Sequence, residues 1–142
     1  MKKIKHLALM VCLFVCSANS CDPDGDGHWD GRLTIANNTN DTILSFLQFN
    51  FPDTLILDQD APELNAIMVP PKSSGKHYSS IKWEDRISML NSHNTIMVFI
   101  ISYDTILRYP WSQIQMDYYI LHRYDLTVYD LENLNWTIVY PH

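Results

Sequence analysis

Ile96 to Ile101 is an unbroken run of six apolar residues, IMVFII, entered by Thr95. Branched and aromatic side chains at this length read as a β-strand covered on both of its faces. This run constrains the fold more than any other segment, because the rest of the chain must supply what covers it.

Several other segments carry strand signals. Leu33 and Ile35 alternate with polar neighbours, and Asn37 to Asp41 is a turn cluster. Ile43 to Phe51 reads as a second strand, stopped by Pro52-Asp53, and residues 57–66 read as a loop. Ile67 to Val69 is a short strand ended by Pro70-Pro71, and Lys72 to Lys76 is expected to be a polar turn. Ile81, Trp83, Ile87 and Leu90 fit one helical face with Ser80 as N-cap, and Ser112-x-x-Gln115 has capping-box spacing. Thr127-x-x-Asp130 has the same spacing, with Leu126 and Leu131 placed as a hydrophobic staple. Asn133 or Asn135 is suited to end that helix in a left-handed turn. Trp136, Ile138 and Tyr140 then alternate with polar or smaller residues, so the C-terminus reads strand, short helix, strand. The predicted class is α+β and predominantly β: one small domain, sheet or sandwich, with two or three short helices.

The N-terminus has a different character. Lys2, Lys3 and Lys5 precede ten apolar residues, Leu7 to Cys16, and then Ser17-Ala18-Asn19-Ser20. A membrane-spanning helix needs roughly 20 apolar residues, so this run reads as a secretory signal peptide. All three cysteines, Cys12, Cys16 and Cys21, lie in this region. Cleavage before Cys21 leaves a single thiol, which is a liability in an oxidising compartment unless it is used. Lipidation of Cys21 is such a use. Ser20 and Ala18 suit a lipobox, whereas Asn19 is atypical. Ordinary cleavage after Ala18 is the competing reading, and it strands the free thiol. The expected organisation is a signal peptide at 1–20, a tether rich in Asp and Gly at 21–31, and one β-rich domain at 32–142.

After processing, seven Lys and Arg remain against sixteen Asp and Glu, a formal charge of −9. Such a surface repels nucleic acid and anionic headgroups, so the membrane is expected as a partner only through the lipid. Asp22-x-Asp24-x-Asp26-Gly27 matches the first half of an EF-hand loop, with Asp30 at position nine. Position twelve is Leu33, where the bidentate Glu is required, so a solvated acidic tether is the better reading. His28, His77, His93, His122 and His142 show no metal-ligand spacing, and no cofactor is expected. Gly75-Lys76 lacks the remainder of a P-loop, and there is no G-x-S-x-G. Glu84-Asp85 and Asp58-x-Asp60 are acid pairs of the kind a glycosidase uses, in a chain acidic enough to carry them on its surface.

Four Trp, eight Tyr and five Phe can fill one core. Trp83 and Trp136 lie in periodic segments and are expected inside. Trp29, Tyr109 and Trp111 lie outside them and are candidates for an exposed ligand platform. Thr42, Thr54 and Thr105 are the central residues of Asp-Thr-apolar triplets that resemble the O-glycosylation acceptor of Bacteroidota. Asn37, Asn40 and Asn135 begin N-x-T sequons.

Trp83-Glu84, Asp104-Thr105-Ile106, Tyr109-x-Trp111-x-x-Ile114, Arg123-Tyr124-Asp125-Leu126-Thr127, Asp130-Leu131 and Leu134-Asn135-Trp136-Thr137-Ile138-x-Tyr140-Pro141 together form a distinctive pattern. With the signal and Cys21, it resembles a group of small uncharacterised Bacteroidota lipoproteins. The resemblance covers the signal and roughly the C-terminal half. It implies a palmitate-type lipid anchor and the outer membrane, on its periplasmic or surface face, and no particular reaction. The expected function is a non-catalytic cell-envelope lipoprotein that binds or scaffolds surface proteins or glycans. A carbohydrate-binding accessory protein is the alternative, and a small hydrolase the third.

The lipid reading has a direct test. Labelled fatty acid should enter the wild-type protein and not Cys21→Ala; equal labelling of the two would refute it.

Overall fold

The structure, a computed structural model, describes residues 30–52 and 66–141. Its elements are β1 (Thr34–Asn37), β2 (Ile43–Gln48), β3 (Ile67–Val69), β4 (Ser73–Lys76), α1 (Trp83–Leu90), β5 (Thr95–Ser102), α2 (Tyr103–Arg108), α3 (Trp111–Asp117), β6 (His122–Thr127), α4 (Val128–Asn133) and β7 (Thr137–Tyr140). This is an α+β fold, predominantly β, with four short helices among the described residues.

β5 lies inside an antiparallel sheet of order β3-β2-β5-β6 and is buried from Thr95 to Ile101. Alternation along a strand sends successive side chains to opposite faces. Ile96, Val98 and Ile100 join Ile43 of β2 and meet a second sheet, β4-β1-β7, through Ile35 and Ile138. Met97, Phe99 and Ile101 join Phe46 on the other face and are covered by Ile114 of α3, with Ile106, Trp111 and Ile120 beside it. The Phe46 and Phe99 rings stack at 5.0 Å, and Trp111 meets Phe46 edge-on at 5.9 Å. The result is three layers: sheet, sheet, helices. Trp83 and Ile87 of α1 and Leu131 of α4 complete the core between the sheets.

The first and last strands of the domain pair with each other. β1 and β7 run parallel, with Ile35 opposite Ile138, so the C-terminus is built into the core sheet. The turn before β7 depends on local chemistry. Thr127 Oγ1 accepts from the Asp130 amide while Asp130 receives the Thr127 N–H at 2.9 Å, a complete capping box. Asn135 and Trp136 then both take left-handed backbone, at φ 48° and 57°. A bulky residue rarely adopts this conformation. Trp136 is held there by burial, by its N–H to Leu131 O at 2.7 Å, and by its carbonyl accepting from Thr34.

Several boundaries differ from those the sequence suggests. The second strand stops at Gln48, because Phe49 and Phe51 turn towards different cores. Ser73 to Lys76 forms edge strand β4 rather than a polar turn, since its backbone pairs with β1 and its side chains need no core. Gly75 permits this edge to lie close: a Cβ there would meet Val69 Cγ2 at 3.0 Å. α1 begins at Trp83, not at Ser80, and α3 begins at Trp111, which places Ser112 inside the helix without a capping role. α2 has no counterpart in the sequence reading. Its six residues have no side-chain cap, and the contact that favours it is Ile106 against the helix-side core. The expected loop at 57–66 lies outside the described residues except for Ala66.

Removing a large buried aromatic side chain costs about 3–5 kcal/mol, and domains of this size are stable by only ~5–15 kcal/mol. Trp136→Ala should therefore lower the unfolding free energy by about 3–5 kcal/mol in urea titrations. Tyr129→Ala, on the exposed side of α4, should lie within ~0.5 kcal/mol of wild type. A Trp136→Ala protein as stable as wild type would contradict this assignment of the core.

Candidate functional site

Two surface regions and one buried pair carry chemistry. The first region is where the described chain begins. Asp30 pairs with Ser79 through two backbone hydrogen bonds, of 2.6 and 3.0 Å. Its carboxylate accepts from Arg32 and from the Trp83 N–H at 3.0 Å. Asp30 therefore supplies the N-terminal cap of α1 from 53 residues away, which is why neither Ser80 nor Lys82 does so. Asp30 and Gly31, at the end of the stretch read as a tether, are thus in contact with the domain.

Arg32 also holds Glu84 at 2.6 Å and lies over the Trp136 ring at 4.3 Å. The Arg32 guanidinium keeps the carboxyls of Asp30 and Glu84 below their usual range, against the opposing effect of partial burial. These groups border an open cleft of about 750 Å³ that also touches Ser80, Ile81, Lys82 and Asp85. The guanidinium is committed to two carboxylates and a ring, so the cleft fastens the start of the domain to α1 and to the turn before β7. A half-exposed ion pair contributes at most about 1 kcal/mol, and the network gains mainly by joining three segments.

The second region is the outer side of α3 and the turn behind it. Tyr118 ends α3 in left-handed backbone at φ 53°, and the chain reverses, with Tyr119 N–H donating to Ile114 O. Ile120 then enters the helix-side core, while Tyr119 stays outside against Tyr109, with ring centroids 4.9 Å apart and tilted by 51°. The Asp117 carboxylate near the Tyr119 hydroxyl raises its pKa, and Gln113 opposes this. The Gln113 amide donates to Asp117, at 3.3 Å. Met116, Tyr118 and Leu121, in the same stretch of chain, are also exposed.

The candidate platform residues divide accordingly. Tyr109 is exposed, as expected of a platform. Trp111 is half-buried against Phe46 because α3 needs it as cover for the sheet, so it is not a free platform. Tyr118 to Leu121 have strand spacing and read from sequence as core, but β6 begins only at His122, and Tyr119 lies outside against Tyr109. The signal that could have found it is the Tyr118-Tyr119 doublet directly after a helix pattern, where only one of two neighbours can turn inward. Trp29, Cys21, Thr54 and the acid pair Asp58 and Asp60 lie outside the described residues, as do the first acids of the calcium-like loop. Thr42 and Thr105 are partly exposed, the first before β2 and the second within α2. Asn37 is buried, and its amide donates to Asp41 O, Val69 O and Pro70 O, so this sequon heads a structural turn.

The buried pair is Ser45 and His77, with Oγ and Nε2 3.1 Å apart between the sheets. Ser45 is fully enclosed and no carboxylate contacts His77 among the described residues, so the pair satisfies polar atoms inside the core. Among the described residues no group of three or more His, Cys, Asp or Glu is arranged to hold a metal ion. Comparison of the chain with protein-family models, curated proteins and solved structures finds no match.

Burial pushes the His77 imidazole down to about 4, from an ordinary value near 6.5. The unfolded chain therefore binds the His77 proton more readily than the folded one. Stability is full above pH ~6.5 and falls as the pH drops towards 4, by about 3 kcal/mol in all and about 2 kcal/mol by pH 5. The lowered carboxyls of Asp30 and Glu84 act in a more acidic window. Denaturant titrations at pH 7, 6 and 5 should show this loss in the wild type and a flatter profile in His77→Gln. Identical slopes in the two proteins would remove His77 as the cause.

Proposed function

We propose that this chain is an exported, non-catalytic envelope lipoprotein, anchored through Cys21, whose domain binds another surface component with the outer side of α3. The observation that carries the reading is the pair of exposed tyrosines, Tyr109 and Tyr119, whose rings meet at 4.9 Å, with Met116, Tyr118 and Leu121 of the same stretch of chain also exposed. Exposed aromatic and Met side chains gathered on one face are characteristic of interaction surfaces.

The direction of attachment supports it. The described chain joins the fold at Asp30, beside the sheet β4-β1-β7, whereas α2 and α3 cover the far side of the other sheet. A tether fixed at Cys21 reaches at most about 30 Å over nine residues. An anchor on the Asp30 side leaves the tyrosine face two layers away from the point of attachment.

A photo-reactive amino acid placed at Met116 in cells making the full-length protein should give adducts on irradiation. The same group at Glu132, exposed on α4, should not. The protein should also sediment with membranes, and Cys21→Ala should not. Equal cross-linking at the two positions would count against the face, and a soluble wild-type protein against the anchor.

A further inference from the structure

Tyr109 and Tyr119 are 39% and 38% exposed. They are neither core residues nor free surface side chains. Their rings touch, and the Tyr119 hydroxyl lies near Asp117 and Gln113, which bond to each other at 3.3 Å. An aromatic side chain fixed in this way loses little freedom when a ligand covers it, so the cost of ordering has been met by the fold.

The chemistry of the surroundings selects the ligand. The electron-rich faces of the rings attract weakly positive C–H groups, as an aliphatic ring face presents. Asp117 and Gln113 stand at the ring edge as acceptor and donor, so a ligand lying on the rings would meet hydrogen-bonding groups at its rim. An organic cation suits the site less well. Ring centroids at 4.9 Å leave no slot in which an ammonium group could be enclosed, and the two rings, tilted by 51°, present inclined faces rather than a cage. A nucleic acid strand would stack equally well but needs free cations for its phosphates. The nearby Arg108 and Arg123 are paired with Asp104 and Asp125, the Arg123 contact at 2.6 Å, and the processed chain is strongly acidic. A neutral ring with one apolar face and a hydroxylated edge meets all of these conditions.

We infer that Tyr109 and Tyr119, with Asp117 and Gln113 at their edge, form a binding subsite for a neutral carbohydrate, a pyranose ring lying on one tyrosine face with the other ring inclined beside it. This inference rests on the binding reading of the same face and names its ligand class.

The test is native affinity electrophoresis of the membrane-extracted protein through gels cast with laminarin, galactomannan or xyloglucan. Retardation is expected in at least one gel. Tyr109→Ala and Tyr119→Ala should each weaken it at least tenfold while melting within a few degrees of wild type, because both side chains are largely outside the core. Tyr109→Phe should retain it, since the ring remains. Asp117→Asn should weaken it several-fold. No retardation in any of the three gels would overturn the inference, as would retardation that both alanine variants keep. Choline competing at millimolar concentration would also overturn it, in favour of a cation site. Should cross-linking at Met116 succeed and all three gels fail, the binding face stands and the carbohydrate does not. Failure of both would sink the two readings together.

Discussion

A strand that buries both faces gives its neighbours only two places to go, and β5 sorts this chain accordingly. Ile96, Val98 and Ile100 require a layer on one side; Met97, Phe99 and Ile101 require one on the other. Each such side chain contributes about 1.5–3 kcal/mol when taken out of water, so leaving either face open would cost a large part of the domain's stability. The two faces are satisfied by different means. One receives a second sheet made from both ends of the domain, and the other receives two short helices that follow directly from β5.

That asymmetry separates structural from recognition chemistry. The sheet-to-sheet side is closed by long-range contacts: β1 with β7, Asp30 with Ser79 and Trp83, and Arg32 with Glu84 and Trp136. Its polar groups are consumed internally, as in the Ser45–His77 pair and the three bonds of the Asn37 amide. Buried groups of this kind carry a desolvation cost that only their partners offset, and so they fix register more than they add stability. The helix side is thinner. α2 and α3 have six and seven residues, too few to be stable alone, and they hold their place by offering Ile106, Trp111 and Ile114 to the sheet. Helices this short cannot bury every aromatic residue they and their turns carry. Tyr109 and Tyr119 are the remainder, in contact with each other on the outside. The proposed carbohydrate subsite is thus a product of how the second face of β5 is covered.

The carboxylate network that fixes the first described residues belongs to the sheet side, and the exposed tyrosines belong to the helix side, so the two fall on opposite layers.

Much of this was legible in the residues themselves. The six-residue apolar run, the Thr127–Asp130 capping box, the left-handed Asn135 and the burial of Trp83 and Trp136 all follow from local pattern, because each depends on neighbours within a turn or on side-chain alternation. The signal-like N-terminus and the position of Cys21 at its end are likewise properties of sequence, and they lie outside the described residues. Tertiary structure decided what depends on distant partners. β4 is a strand only because β1 lies beside it, and Trp111 turns inward only because Phe46 lies beneath it. α1 starts at Trp83 because Asp30 arrives from the other end of the domain. Tyr119 meets Tyr109 only once α3 has docked and Tyr118 has reversed the chain. The physical reason is range. Capping, alternation and turn chemistry act over a few residues and are written into the order of the chain, whereas strand pairing and side-chain burial act between segments that only folding brings together.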